Sequence, residues 1–301
     1  MFDASEFFFQ GFSFPENYAH FLPQSAPLAG RLLKTAGFSL MEQRDLNSSQ
    51  NPSNRSSRIF FEQACRQGDI SRGFAEYGWY GYAVDPELSH VRQAILKCSG
   101  GVSFACGPLE TMPPELSDLS FLWHCALGFS SSGFSSKDPQ GVSAPVNVEA
   151  RIKSLRQSTK IGGIYMFDIK NLHPAQRNIS GHNKVLVHLP SPLASDLASE
   201  SKGGKGQDQD QDKKILATLS WEREWERGND DEEKSTTVMK VTHAENLLWQ
   251  SGEIVEHHFT QEAIDEILKP HLDSVRWMGN LDGDRPSWHH KRLIAVVKRL
   301  S

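Results

Sequence analysis

"IFFEQACRQGDISRGFAEYGWYGYAVDPE", residues Ile59 to Glu87, decides how the rest of the chain is read. An apolar run rich in strand formers, "RIFFEQAC", leads through a loop ending at Gly68 into a short helix over "DISRGFAEYG". Gly78 then supplies the turn into a second strand, "YGYAVDPE". In a doubly wound sheet, ligands sit where a strand turns into its helix; glycines there make the turn tight and let backbone approach the ligand. This loop keeps that alternate spacing at Glu62, Ala64, Arg66 and Gly68, but only the last position is glycine. Asp85 closes the second strand roughly 20 residues on, where a carboxylate can accept hydrogen bonds from a ribose diol.

The same alternation continues in both directions. "SAPLAGRLLKTAG" (Ser25 to Gly37) has helical spacing and a glycine stop, whereas "DLNSSQNPSNRSS" (Asp45 to Ser57) is a polar loop. Beyond Asp85, "ELSHVRQAILKCSGG" reads as a helix, "VSFACG" and "LSFLWHCALGF" as strands, "EARIKSLRQSTKIGG" as a helix ending at Gly162 and Gly163, and "IYMFDI" as a strand. Strands alternating with helices predict an α/β, Rossmann-like, mostly parallel sheet covered on both faces.

From Gln176 the pattern changes. "KVLVHLP", "KKILATLSWEREW", "STTVMKVTHAENLLW" and "GEIVEHHF" read as consecutive antiparallel strands, a β-rich insertion over 176–258 within a single domain, 1–301. Residues 191–214 inside it are nearly free of apolar side chains and are expected to be a disordered loop. "TQEAIDEILKPHL" predicts a helix capped by Thr260; "SVRWMGNLDG" and "KRLIAVVKRLS" predict a closing antiparallel hairpin.

A net charge of -5, with no Lys/Arg run, argues against nucleic acid as the partner. No apolar run approaches membrane-spanning length, and the start, "MFDASEFFFQGFSF", carries acids rather than the basic residues of a signal peptide. Four scattered cysteines, Cys65, Cys98, Cys106 and Cys125, with no C-x-x-C pair, fit reduced thiols in a cytoplasmic protein. "EHH" (Glu256 to His258) places alternate side chains on opposite faces of a strand, and "HHK" (His289 to Lys291) lacks a third nearby ligand, so no metal is expected. The acidic run "NDDEEK" (Asn229 to Lys234) reads as a solvated turn.

Taken together and in order, these segments resemble the class I S-adenosylmethionine-dependent methyltransferases, in their small-molecule branch. Residues 59–87 look like the family's first motif and acidic second strand, "GGVSFACGPLETMP" like the third strand and its adenine-side loop, and "LSDLSFLWHCALGF" like the fourth. "SLRQSTKIGGIYMFDIKNLHP" is similar to the fifth strand, and the tail from Leu268 to the closing hairpin. The resemblance implies that Glu62 begins the cofactor loop, that Ala64, Cys65 and the residues to Gly68 pass under the methionine part of S-adenosyl-L-methionine, and that Asp85, followed by Pro86, holds the ribose. It implies further that Gly107, Pro108 and Leu109 lie along the adenine and that Trp123, His124 and Cys125 line the sulfonium side.

Several roles have two readings. His124 is either the base for the acceptor or a histidine bonded within its loop. Tyr18 either closes over the cofactor or packs in the N-terminal segment. Trp221, Trp225 and Trp249 either roof an acceptor pocket, form the insertion's own core, or meet a second copy. Ala64 fits the loop if its φ is negative. Arg66 points outward, pairs with the cofactor carboxylate, or obstructs the site. Pro108 removes a backbone donor. The expected activity is methyl transfer to a small-molecule nitrogen or oxygen nucleophile by a monomer or homodimer; the alternative is a catalytically inactive methyltransferase-like binding or regulatory protein. A nicotinamide oxidoreductase would require G-x-G-x-x-G, which the loop lacks.

Overall fold

A computed structural model of the chain describes residues 25–39, 58–98, 100–113, 116–123, 126–128, 147–173, 180–189, 213–227, 232–242 and 248–301. Tyr18, His124 and Cys125 lie outside these residues. The described residues fall into two compact units, one within 20–178, 225–235 and 255–301, the other within 179–224 and 236–254.

The first unit is built on a seven-stranded sheet. In chain order its strands are β1 (Ile59–Gln63), β2 (Tyr80–Asp85), β3 (Val102–Cys106), β4 (Ser117–Leu122) and β5 (Thr159–Lys170), with β10 (Ser274–Met278) and β11 (Arg292–Lys298) closing the chain. They lie in the order β10-β11-β5-β4-β1-β2-β3. The five strands from β1 to β5 pair in parallel, while β11 is antiparallel to both β5 and β10. The chain therefore starts in the sheet's centre, winds outward to β3, crosses back to β4, and finishes with the expected hairpin. Crossing back over the starting strand puts the topological switch point between β1 and β4, at whose carboxyl ends ligands of such sheets bind.

Alternation of side chains assigns each helix its face. Phe60, Leu119, Phe121, Met166, Ile294 and Val296 point to one side, where α1 (Ser25–Thr35) brings Leu28, Leu32 and Leu33 and α2 (Asp69–Glu76) brings Ile70 and Phe74. Leu122, Tyr165, Phe167, Leu293, Ala295 and Val297 point to the other, against Ile152 and Leu155 of α4 (Val148–Ser158) and Ile264 and Leu268 of α5 (Gln261–Leu268). α3 (Leu88–Lys97) buries His90, Val91 and Ala94. Phe74 is the hub of an aromatic cluster, 4.8 Å from the Phe60 ring and 5.1 Å from that of Phe121. Thr260 caps α5 as expected, its Oγ1 accepting from the Ala263 amide at 3.1 Å.

Several boundaries depart from expectation. The run to Gly163 is not all helix: α4 stops at Ser158, and Thr159, whose ψ is 133°, opens β5. Pairing then jumps from Ser117 with Thr159 to Leu119 with Ile164, so β5 carries extra residues in a bulge that contains Gly162 and Gly163. β4 ends at Leu122, and Ala126–Gly128 form a 3₁₀ turn instead of continuing the strand. "NDDEEK" is not wholly a turn, since Glu232 to Lys234 begin a strand.

The second unit holds strands β6 (Ser180–Leu189), β7 (Lys213–Arg227), β8 (Glu232–Thr242) and β9 (Leu248–Phe259), parts of the last three extending beyond it, in a sheet ordered β6-β7-β8-β9. β6 and β7 pair antiparallel from Ser180 with Glu222 to Leu189 with Lys213. Lys213 and Lys214, where the expected loop and the expected strand overlap, open β7; Leu248 and Trp249, expected in the preceding strand, open β9. Among the described residues no helix is long and apolar enough to cross a membrane.

Candidate functional site

The carboxyl ends of β1, β2 and β3 carry Glu62, Ala64, Cys65, Gly68, Asp85, Pro86 and Gly107. The loop between β1 and α2 has left-handed backbone at alternate positions: φ is 56° at Ala64, 51° at Arg66 and 74° at Gly68. The condition on which Ala64 would fit the loop, a negative φ, is therefore not met. Side chains make that conformation costly because Cβ crowds the following carbonyl. Gly68 is needed on a second ground, since a Cβ there would stand 2.8 Å from the Ala94 methyl and 3.1 Å from the Phe104 ring.

Neighbouring strands hold the loop in this shape. The Cys65 amide donates to Val84 O at 3.1 Å, and the Gly68 amide to Cys65 O at 2.9 Å. The Arg66 amide donates to Asp85 Oδ2 at 2.7 Å. Asp85 Oδ1 accepts from the Glu87 amide at 3.0 Å and lies 3.0 Å from His90 Nδ1. The Asp85 backbone carbonyl accepts from Gly107, tying in the loop after β3. Asp85 is thus the keystone of the loop, and at 3% exposure its carboxylate is turned into the protein rather than out toward a ligand. His90 was missed in the sequence, although it lies on the apolar stripe of α3 beside Val91 and Ala94, where a histidine is an anomaly worth following.

Beneath the loop, Glu62 is 2% exposed and accepts a hydrogen bond from the Ser71 hydroxyl on α2. Burial raises its pKa to about 8, with Asp69 and Asp85 adding to the rise and Ser71 opposing it. At neutral pH this carboxyl is largely protonated, while Asp69 and Asp85 make the loop's underside acidic. Burial also raises the Cys65 thiol, which makes it a poor nucleophile.

Further from the loop, Leu109 and Trp123 are buried in opposite cores, the first with Leu122 and Ile152, the second with Phe121 and Met166. Pro108 is exposed and its carbonyl accepts from the Thr111 amide. The segment after β3 therefore exposes the Pro108 ring and backbone. Trp225 packs 4.9 Å from the His258 ring and stacks under Lys170 Nζ at 5.5 Å; the side chains of Trp221 and Trp249 lie outside the described residues. The His289 and His290 rings lie 4.3 Å apart, tilted, and share the Ser287 hydroxyl. Cys65, Cys98 and Cys106 are free thiols.

No protein-family model and no curated protein matches this chain. Solved structures match it at low identity over nearly its whole length. The CcbJ methyltransferase from Streptomyces caelestis is 10% identical with a TM-score of 0.60, covering 93% of this chain and 90% of its own. CalS10, an amino pentose methyltransferase from Micromonospora echinaspora solved with S-adenosylmethionine bound, is 12% identical at a TM-score of 0.54, covering 93% and 91%. A S-adenosylmethionine-dependent methyltransferase from Clostridium acetobutylicum is 16% identical at 0.53, covering 92% and 98%. Strand order, closing hairpin and these likenesses agree: the chain has the Rossmann-like fold of the class I S-adenosylmethionine-dependent methyltransferases.

Proposed function

We propose that the chain binds S-adenosylmethionine at the carboxyl edge of its central strands and transfers the methyl group to a small-molecule nitrogen or oxygen nucleophile. One observation carries this reading. Residues 64, 66 and 68 keep left-handed backbone although two of them are not glycine. Such residues cost roughly 1–3 kcal/mol each and persist where the surroundings enforce a shape, most often at ligand sites.

The cofactor's fit has a strong part and a weak part. The loop's left-handed turn suits close approach of backbone to the cofactor. The Ala64 methyl packs against the cluster that includes Leu122 and Ile152, at a φ that a side chain disfavours. Asp85 fits less well, because Arg66, Glu87 and His90 already occupy its oxygens. A ribose diol would have to use a remaining lone pair of that carboxylate or displace His90.

When bound, the cofactor supplies a methyl group on a positively charged sulfur. The chain's task is to orient donor and acceptor and exclude water, and proximity of that kind is worth up to about 7–11 kcal/mol. His124, next but one after β4, is proposed as the base that accepts the acceptor's proton, with Tyr18 as a cofactor contact. Residues 176–258 are proposed as an insertion that selects the acceptor. Since CalS10 acts on an amino pentose, amino sugars are the first acceptor class to try.

The arrangement of Asp85 favours a second reading, a binding protein of this fold without transfer activity. Incubation with methyl-labelled S-adenosylmethionine and a panel of amino sugars separates the two. Acceptor-dependent release of S-adenosylhomocysteine supports the enzyme. No release across a wide acceptor panel supports the inactive binding or regulatory protein, and absence of cofactor binding as well rules out the enzyme.

A further inference from the structure

Arg151 is a charge in the middle of an apolar stripe. On α4 it shares the inward face with Val148, Ile152 and Leu155, and it is 3% exposed. Burial lowers its pKa and Glu110 opposes the shift, but a guanidinium stays charged throughout the ordinary pH range. A buried cation is tolerated only when hydrogen bonds replace its lost water. Here Nε donates to Glu110 Oε1 at 3.3 Å, and Nη1 donates to Ala126 O at 3.1 Å and to Leu127 O at 2.8 Å.

These acceptors belong to two different loops. Glu110 follows β3, whereas Ala126 and Leu127 form the turn after β4, and β1 and β2 lie between those strands in the sheet. One turn further along α4, the Ser154 hydroxyl donates to the Glu110 backbone carbonyl at 3.1 Å and accepts from Gln63 Nε2 at 2.9 Å. The loop after β3 is therefore drawn across the sheet's carboxyl edge and pinned to α4, beside the end of β1. Lysine could not reproduce this, because it offers a point charge where arginine's planar fork reaches several acceptors at once.

We propose that Arg151 is a positioning residue of the cofactor site: its guanidinium holds the loop after β3, through Glu110, and the turn after β4, through Ala126 and Leu127, at one fixed spacing. The proposal rests on the reading of this edge as a S-adenosylmethionine site. It also explains why so costly a residue stands in the core, where leucine would serve packing alone.

The test uses the full chain with Arg151→Met, Arg151→Lys and Glu110→Gln. Amide hydrogen exchange on the ligand-free protein reads the loops; calorimetric titration with S-adenosylhomocysteine reads the site. Arg151→Met should speed exchange in residues 107–111 and 126–128 by about tenfold or more while peptides from β1 and β5 keep wild-type rates. It should weaken S-adenosylhomocysteine by roughly tenfold or more, as misplacement of positioning groups does. Arg151→Lys keeps the charge but not the fork, so it should lose affinity as Arg151→Met does; a loss confined to 107–111 and 126–128 in exchange, with β1 and β5 unchanged, is a split that packing alone does not produce. Glu110→Gln should loosen 107–111 and leave 126–128 as it is. Unchanged exchange in both loops, or wild-type affinity in Arg151→Lys, overturns the proposal. A wild-type chain that binds no S-adenosylhomocysteine overturns the cofactor reading instead, and the exchange data then decide the hold on the loops by themselves.

Discussion

Ala64 and Arg66 show how a side chain can stand where a fold asks for glycine. Each holds a φ near 50°, at a cost of roughly 1–2 kcal/mol from Cβ crowding. The Arg66 amide's bond to Asp85 and the Cys65 amide's bond to Val84 make any other shape of this loop worse. Replacing Ala64 by glycine should therefore stabilise the protein by about 1 kcal/mol, despite the greater freedom of glycine in the unfolded chain. Urea denaturation reads the change, and a loss of stability would mean that the Ala64 methyl contributes more through packing than its backbone loses. The acid and the spacing of this loop were legible in the sequence because they are local. The sign of φ was not, because Asp85, across the crossover, imposes it.

Glu62 carries a pH dependence of definite sign. Its folded pKa, about 8, lies above the ordinary carboxylate value of 4.5, chiefly through burial. The folded state thus binds the proton more tightly than the unfolded chain does. Its contribution is fully present below pH about 4.5, declines as pH rises toward 8, and is gone above that. Glu62→Gln keeps a neutral group of the same length and should flatten this decline. The melting temperature of the variant should gain on the wild type as pH rises from 5 to about 8.5. Parallel profiles would place the charge-free form elsewhere.

At the scale of elements, the helix caps and the two-residue period were readable, as Thr260 and the alternating faces of β11 illustrate. The junction of α4 with β5 was not. Its bulge is set by pairing with Ser117 and Leu119, some forty residues earlier, which no local pattern reveals. Gly163 marks the constraint: a Cβ there would stand 2.8 Å from Thr159 Cγ2, 2.9 Å from Lys160 O and 3.0 Å from Asp118 O. Two of these are backbone atoms that cannot step aside. Gly163→Ala should cost about 1–3 kcal/mol by denaturant titration, whereas alanine at Gly283, which meets nothing within 4 Å, should cost no more than its positive φ demands. Equal losses at the two sites would remove the crowding argument.

The whole molecule was the most legible scale and the least decided in chemistry. Strand–helix alternation, the placement of the acids and the final hairpin each have simple sequence signatures, and their order defines the sheet. Arg151 and His90 escaped notice because polar residues on apolar stripes look like exceptions, yet one ties two loops together and the other engages the strand-end acid. Fold alone does not fix function, and the claim that matters is that the strained loop still receives its ligand. Isothermal calorimetry of the wild-type chain with S-adenosylhomocysteine tests that claim most directly. One saturable site per chain, in the micromolar range, is the expected result. No heat of binding from a folded protein would contradict it, and would leave the left-handed backbone at Ala64 and Arg66 as the shape of a site without its cofactor.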